Sequence, residues 1–84
     1  MDINALYNCV SDALNDENVM VIEIHGLKHI FSLTPKKVAY VMIKYNSLWV
    51  VKTAHKSIAT EATISQLLIN PDQVVYVNVV KKEG

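Results

Sequence analysis

The residues able to do chemistry in this chain are few, and they do not cluster. Three histidines, His25, His29 and His55, invite a metal-site reading. A catalytic zinc centre needs three converging ligands and an open position. His25 and His29 flank the internal glycine, Gly26. In the hairpin expected there they point to opposite faces, and His55 follows another predicted strand, so no metal site is expected. The lone cysteine, Cys9, rules out an intrachain disulfide and a multi-cysteine zinc site. It falls beside the apolar stripe of a predicted helix, where an inert thiol is the ordinary state. Asp16 and Glu17 adjoin in a polar stretch and read as solvated carboxylates rather than an acid–base pair. Nucleophile elbows, phosphate loops and dinucleotide turns each need several glycines, and the sequence has 2. No enzymatic activity and no cofactor are expected.

Every basic residue is a lysine, and the 8 lysines balance 8 acids. Zero net charge gives no overall field to steer nucleic acid or anionic membranes. Without arginine the best bidentate ligand for phosphate and guanine is missing. Lys36, Lys37, Lys44 and Lys52, interleaved with Tyr40, Tyr45 and Trp49, make the one candidate nucleic-acid surface. The competing reading is that these lysines solvate strands and guard their edges. The longest apolar run, Val38 to Ile43, is far short of the roughly 20 residues that span a bilayer, and no membrane partner is expected. No basic stretch followed by an apolar core marks a secretory leader. One unpaired cysteine suits a reducing compartment, so a cytoplasmic setting is expected.

The elements that would position these residues follow from periodicity. Asp2 fits an N-cap, with Ile3, Leu6, Tyr7, Val10, Ala13 and Leu14 at helical spacing behind it. Asn15 to Asn18 is a polar connection. Gly26-Leu27 fits a type II′ turn, which pairs Ile24 with His29, Ile22 with Phe31 and Met20 with Leu33. Pro35-Lys36 fits a second turn, and Asn46-Ser47 a third. Between them Val38–Tyr45 is strand by residue type, although Pro35 at a first helical position keeps a helix open as the alternative. In this register Ile22, Phe31, Val38, Tyr40, Met42, Trp49 and Val51 share the core face. Ser57 or Thr60 would cap a second helix using Ile58, Ala62, Ile64, Leu67, Leu68 and Ile69, ended by Asn70-Pro71. A final strand, Val74 to Val80, is apolar on both faces and reads as interior.

The expected architecture is one α+β domain over residues 1–84. A mostly antiparallel sheet of about five strands carries two helices on one face, in the order α-β-β-β-β-α-β. No internal repeat, linker or low-complexity stretch stands out. The chain is 51% hydrophobic, yet a domain this small buries only roughly 60% of its unfolded surface. Apolar surface is therefore left over for a second copy or a partner. The open face expected to carry it holds Val21, Ile30, Val41, Ile43, Tyr45, Leu48 and Val50. The function expected is non-enzymatic protein binding, by a small inhibitor or modulator that self-associates, of the kind that phages and mobile elements encode. The alternative is a nucleic-acid-binding or transcription-regulating domain.

Overall fold

The computed structural model describes residues 1–53 and 65–83. Helix α1 spans Ile3–Leu14, and the Asp2 carboxylate caps it by accepting from the Ala5 N–H at 3.1 Å. Leu6, Val10 and Ala13, spaced along one face, are its buried residues. Six strands follow: β1 (Val19–Gly26), β2 (Ile30–Leu33), β3 (Val38–Lys44), β4 (Ser47–Lys52), β5 (Ser65–Ile69) and β6 (Val74–Lys81). They form two three-stranded antiparallel sheets, ordered β2-β1-β6 and β3-β4-β5. The α+β class stands, and Val38–Lys44 is a strand, not a helix. The five-strand single sheet does not stand. After β2, Pro35–Lys37 forms a short 3-10 turn that carries the chain away, so β3 starts a new sheet instead of pairing with β2.

That departure reverses the sidedness expected for most of β3 and β4, but not for Val38, which packs against the core, or Val51, which is buried as expected. Leu48 and Val50 are fully buried and join Ile22, Ile24, Leu33, Leu6 and Val10 in one core, with Val41 packed against it. They cannot belong to an open face. Tyr40 and Met42, expected inside, are exposed, and Trp49 is half-buried on the outer side. The proposed second helix also fails where it can be seen. Ser65–Ile69 is a strand paired to β4, with Ile69 buried and Leu68 outside. The earlier part of that helix, residues 57–64, lies outside the described residues. β6 is an edge strand rather than an interior one.

Turn registers shift by two residues, which preserves the pairing of faces within each hairpin. β1 and β2 pair Ile24 with Phe31 and Ile22 with Leu33. Gly26 does not adopt a positive φ. It is needed for close approach: a Cβ there would sit 3.0 Å from the His29 carbonyl oxygen and 3.1 Å from that of Gln73. The second hairpin turns at Tyr45-Asn46, not Asn46-Ser47, with φ of 53° and 55°. Positive φ at both central residues is the type I′ pattern that suits twisted strands. Met20 is exposed because an irregularity in the β1–β6 pairing between Val19 and Val21 hands the inward position to Val19.

The two sheets are related by an internal two-fold repeat, contrary to the sequence reading. Thr34-Pro35-Lys36-Lys37-Val38-Ala39-Tyr40-Val41 matches Asn70-Pro71-Asp72-Gln73-Val74-Val75-Tyr76-Val77. Each segment is a 3-10 turn leading into a strand. Ile22 and Ile24 of β1 correspond to Leu48 and Val50 of β4, and all four are fully buried. The Leu27 N–H donates to the Gln73 carbonyl at 2.9 Å, and its counterpart, the Thr53 N–H, donates to the Lys37 carbonyl at 2.8 Å. The pairing irregularities beside Ala39 and Val75 also correspond. Each half is thus a hairpin, a 3-10 turn and a third strand, and the third strands are exchanged: β3 pairs with β4, and β6 with β1.

Candidate functional site

The internal repeat lets the two outer faces be compared position by position. On the sheet of β2, β1 and β6, the outward residues include Glu23, His25, Ser32, Tyr76 and Asn78. Asn78 Nδ2 donates to Glu23 Oε1 at 2.9 Å, and His25 Nε2 lies 3.4 Å from the same oxygen. These two partners, Asn78 first, hold the Glu23 carboxyl below the usual carboxylate range. His25 stacks on Tyr76 with ring centroids 4.2 Å apart. The group is polar, internally satisfied and open to water on its outer side.

The corresponding positions on β3, β4 and β5 are apolar. Trp49 stands where Glu23 does, Val51 for His25, Leu68 for Ser32 and Met42 for Asn78, while Tyr40 matches Tyr76. Tyr40 is 53% exposed, Met42 43% and Leu68 51%. Lys44 Nζ lies 3.5 Å from the Trp49 ring centroid and 5.4 Å from that of Tyr45. This is a cation–π contact on the ring face best suited to it. The buried Trp49 Nε1 has no hydrogen-bond partner among the described residues. Tyr45, at the hairpin tip, is 78% exposed despite its positive φ. A bulky residue in that conformation is unusual and costs energy where asparagine or glycine would not. Lys44, Tyr45, Trp49, Gln66, Leu67 and Leu68 line a shallow cleft of about 300 Å³.

Of the interface expected from sequence, Tyr45 and Ile43 lie at or beside this hairpin tip, both exposed. Val21 and Ile30 are outward on the other sheet, Ile30 being 60% exposed. Leu48 and Val50 are core, and Val41 packs on it. The structure therefore divides that set instead of uniting it. Of the four lysines, Lys44 joins the aromatic cluster, Lys36 and Lys37 are exposed in the 3-10 turn, and Lys52 is half-buried at the end of β4. Sequence reasoning missed Met42, Trp49 and Leu68 as surface residues. The signal that finds them is the repeat, because it aligns them with polar counterparts.

Elsewhere the geometry offers less. His29 is exposed in the β1–β2 turn, Cys9 is half-buried on α1, and His55 lies outside the described residues. Among the described residues no three His, Cys, Asp or Glu side chains converge. A larger cleft of about 470 Å³ lies past the end of α1, with Leu14, Val19, Met20 and Pro35 in its lining and Asp16, Glu17, Lys36 and Lys82 beside them. Its charges are of both signs. Asp16 is already held by the Asn18 N–H at 2.9 Å and Lys81 at 3.2 Å, which lower its pKa in that order. No described helix is long and apolar enough to cross a membrane. No family model matches the chain, and neither a curated protein nor a solved structure matches it.

Proposed function

We propose that this chain is a protein-binding module, a small inhibitor or modulator without chemistry of its own, and that it binds through the outer face of β3, β4 and β5. One observation carries the reading. At the central matched positions the scaffold presents Glu23, His25, Ser32 and Asn78 on one sheet and Trp49, Val51, Leu68 and Met42 on the other, while at the margin Val21, Ile30 and Val80 of the first match Ser47, Gln66 and Lys44 of the second. Folding does not require Trp49, Met42 and Leu68 to be apolar, since Glu23, Asn78 and Ser32 serve the matched positions. Tyr, Trp, Met and Leu grouped on one face, with charge confined to its margin, is the composition of a protein interface core.

Nucleic-acid binding is the second reading, favoured by the grouping of Lys44, Tyr45 and Trp49. It is weaker on geometry. One face of Trp49 already holds the Lys44 ammonium, and Met42 and Leu68 offer nothing to a phosphate.

The test is site-specific photocrosslinking in the cell that makes the protein, with a benzophenone amino acid at Met42, Tyr45 or, as control, Ser32. Nuclease-resistant adducts to protein from Met42 and Tyr45, absent from Ser32, support the proposal. Adducts that collapse on nuclease treatment, or that arise equally from Ser32, defeat it. Light scattering of the purified chain then separates a second copy from a different protein as the partner.

A further inference from the structure

Net charge of zero conceals a strong segregation. From Ile24 to Thr60 the sequence holds six lysines, Lys28, Lys36, Lys37, Lys44, Lys52 and Lys56, and no acidic residue. From Met1 to Glu23 it holds five acids and no lysine. The fold keeps the acids off β3, β4 and the described β5, although Lys36 shares a cleft with Asp16 and Glu17. Asp12 and Asp16 line the hollow between α1 and β6, where Lys81 pairs with Asp16. Glu23 is on the outer face of the other sheet, tied to Asn78. β3, β4 and their connecting turn carry Lys44 and Lys52 with no carboxylate, as does the described β5.

Two lysines stand at the two ends of β3. Lys44 stands at its hairpin end, over Trp49. Lys37 stands at the other, where its carbonyl accepts from Thr53 beside the end of β4. Seven residue steps, along β3, separate them, about 23 Å at roughly 3.3 Å per residue. That exceeds the Debye length of about 8 Å at physiological salt, so each end acts as its own positive site.

We infer that the partner segment is acidic: an apolar stretch of about six to eight residues flanked by carboxylates, seated along β3 with its charges at Lys37 and Lys44. This rests on the outer face being a protein-binding face. Complementary charge at the margins sets register and encounter rate, while the apolar centre supplies affinity.

The experiment is selection of a random 12-residue peptide library, displayed on phage, against the full chain. Recovered peptides are resynthesised and titrated by the fluorescence of Trp49, the single tryptophan. The expected winners are net negative and carry at least two large apolar residues. Their Kd rises about 10-fold or more in Lys44→Glu, less in Lys44→Gln, and also rises between 50 and 500 mM salt, as charge-steered binding requires. Leu68→Asp abolishes binding. Circular dichroism of each variant confirms that the fold is retained. Winners that are neutral or basic yet still lost in Leu68→Asp overturn the acidic partner and spare the binding face. Winners indifferent to Leu68→Asp, or no enrichment over an unrelated bait, overturn both. A twelve-nucleotide oligothymidylate that displaces the winners and binds more tightly than they do makes nucleic acid the occupant and overturns the inference.

Discussion

Replacing Leu48 and Met42 by alanine, one at a time, tests the sidedness on which the binding face depends. Leu48 is fully buried and pairs with Ile43 and Ile69 across its neighbours. Truncating a buried leucine costs about 2–5 kcal/mol, the transfer term plus the cavity. Met42 is 43% exposed on the outer face, and its truncation costs less than about 1 kcal/mol. At about 0.05–0.15 kcal/mol per residue, a chain of 84 residues has roughly 4–13 kcal/mol to lose. Taking about 3 kcal/mol for Leu48→Ala, and an unfolding entropy of about 2.1 cal/mol/K per residue, Tm falls by about 17 °C. With a urea slope near 1 kcal/mol/M for so small a domain, the midpoint falls by about 3 M. Met42→Ala shifts either readout by a third of that or less. Thermal and urea unfolding followed by far-ultraviolet circular dichroism measure both. If Met42→Ala destabilises as much as Leu48→Ala, the faces are assigned the wrong way round and the binding-face proposal falls with them.

Three further outcomes follow from particular geometries. Gly26→Ala places a Cβ 3.0–3.1 Å from two backbone carbonyl oxygens, which cannot swing aside as a side chain can; a loss of about 1–3 kcal/mol in urea unfolding is expected, as for other forced overpacking. Tyr45→Asn relieves the positive φ and should raise stability by about 0.5–1 kcal/mol while weakening partner or selected-peptide binding; a gain in both would remove Tyr45 from the site. Glu23 and Asp16 titrate below their ordinary range in the folded chain. Depressed carboxyl pKa values give stability that is complete above the unfolded values, near pH 4, and is lost as pH falls through the folded ones. Acid unfolding curves of Asn78→Ala and Lys81→Ala should accordingly differ most from the parent's above the unfolded carboxyl values, about pH 4, and converge towards it as the pH falls through the lower folded ones.

What the sequence revealed, and what it hid, has a physical pattern. The helix from Asp2 to Leu14 was legible because cap and stripe agree. The strands β1 to β4 and β6 were legible as strands because β-branched and aromatic residues dominate them. Their sidedness was not, because β3 and β4 are apolar at both alternating sets of positions, Tyr40 and Met42 as much as Val41 and Ile43. Alternation distinguishes two faces without saying which is inside. Gly26 fits a turn by residue type, whereas its constraint comes from the carbonyls of His29 and of Gln73, the second far along the chain. Leu67-Leu68-Ile69 fits a helix stripe and a strand equally well over so short a run. The repeat and the charge segregation were both present in the sequence. Divergence between Lys36-Lys37 and Asp72-Gln73 masked the first, and a zero total masked the second.

The exchange of third strands has a consequence for how the chain reaches its fold. Sheet β2-β1-β6 begins with Val19 and cannot be finished until residues through Lys81 are available. Sheet β3-β4-β5, built of consecutive strands, has a local route to closure, whereas β2-β1-β6 has none. Long-range antiparallel pairing of this kind raises contact order and slows folding relative to helical domains of the same size. While the chain is being synthesised, β1 waits with one edge unpaired, and its core face stays open to whatever binds first. Completion of the core that both sheets share is then a late event, waiting on β6.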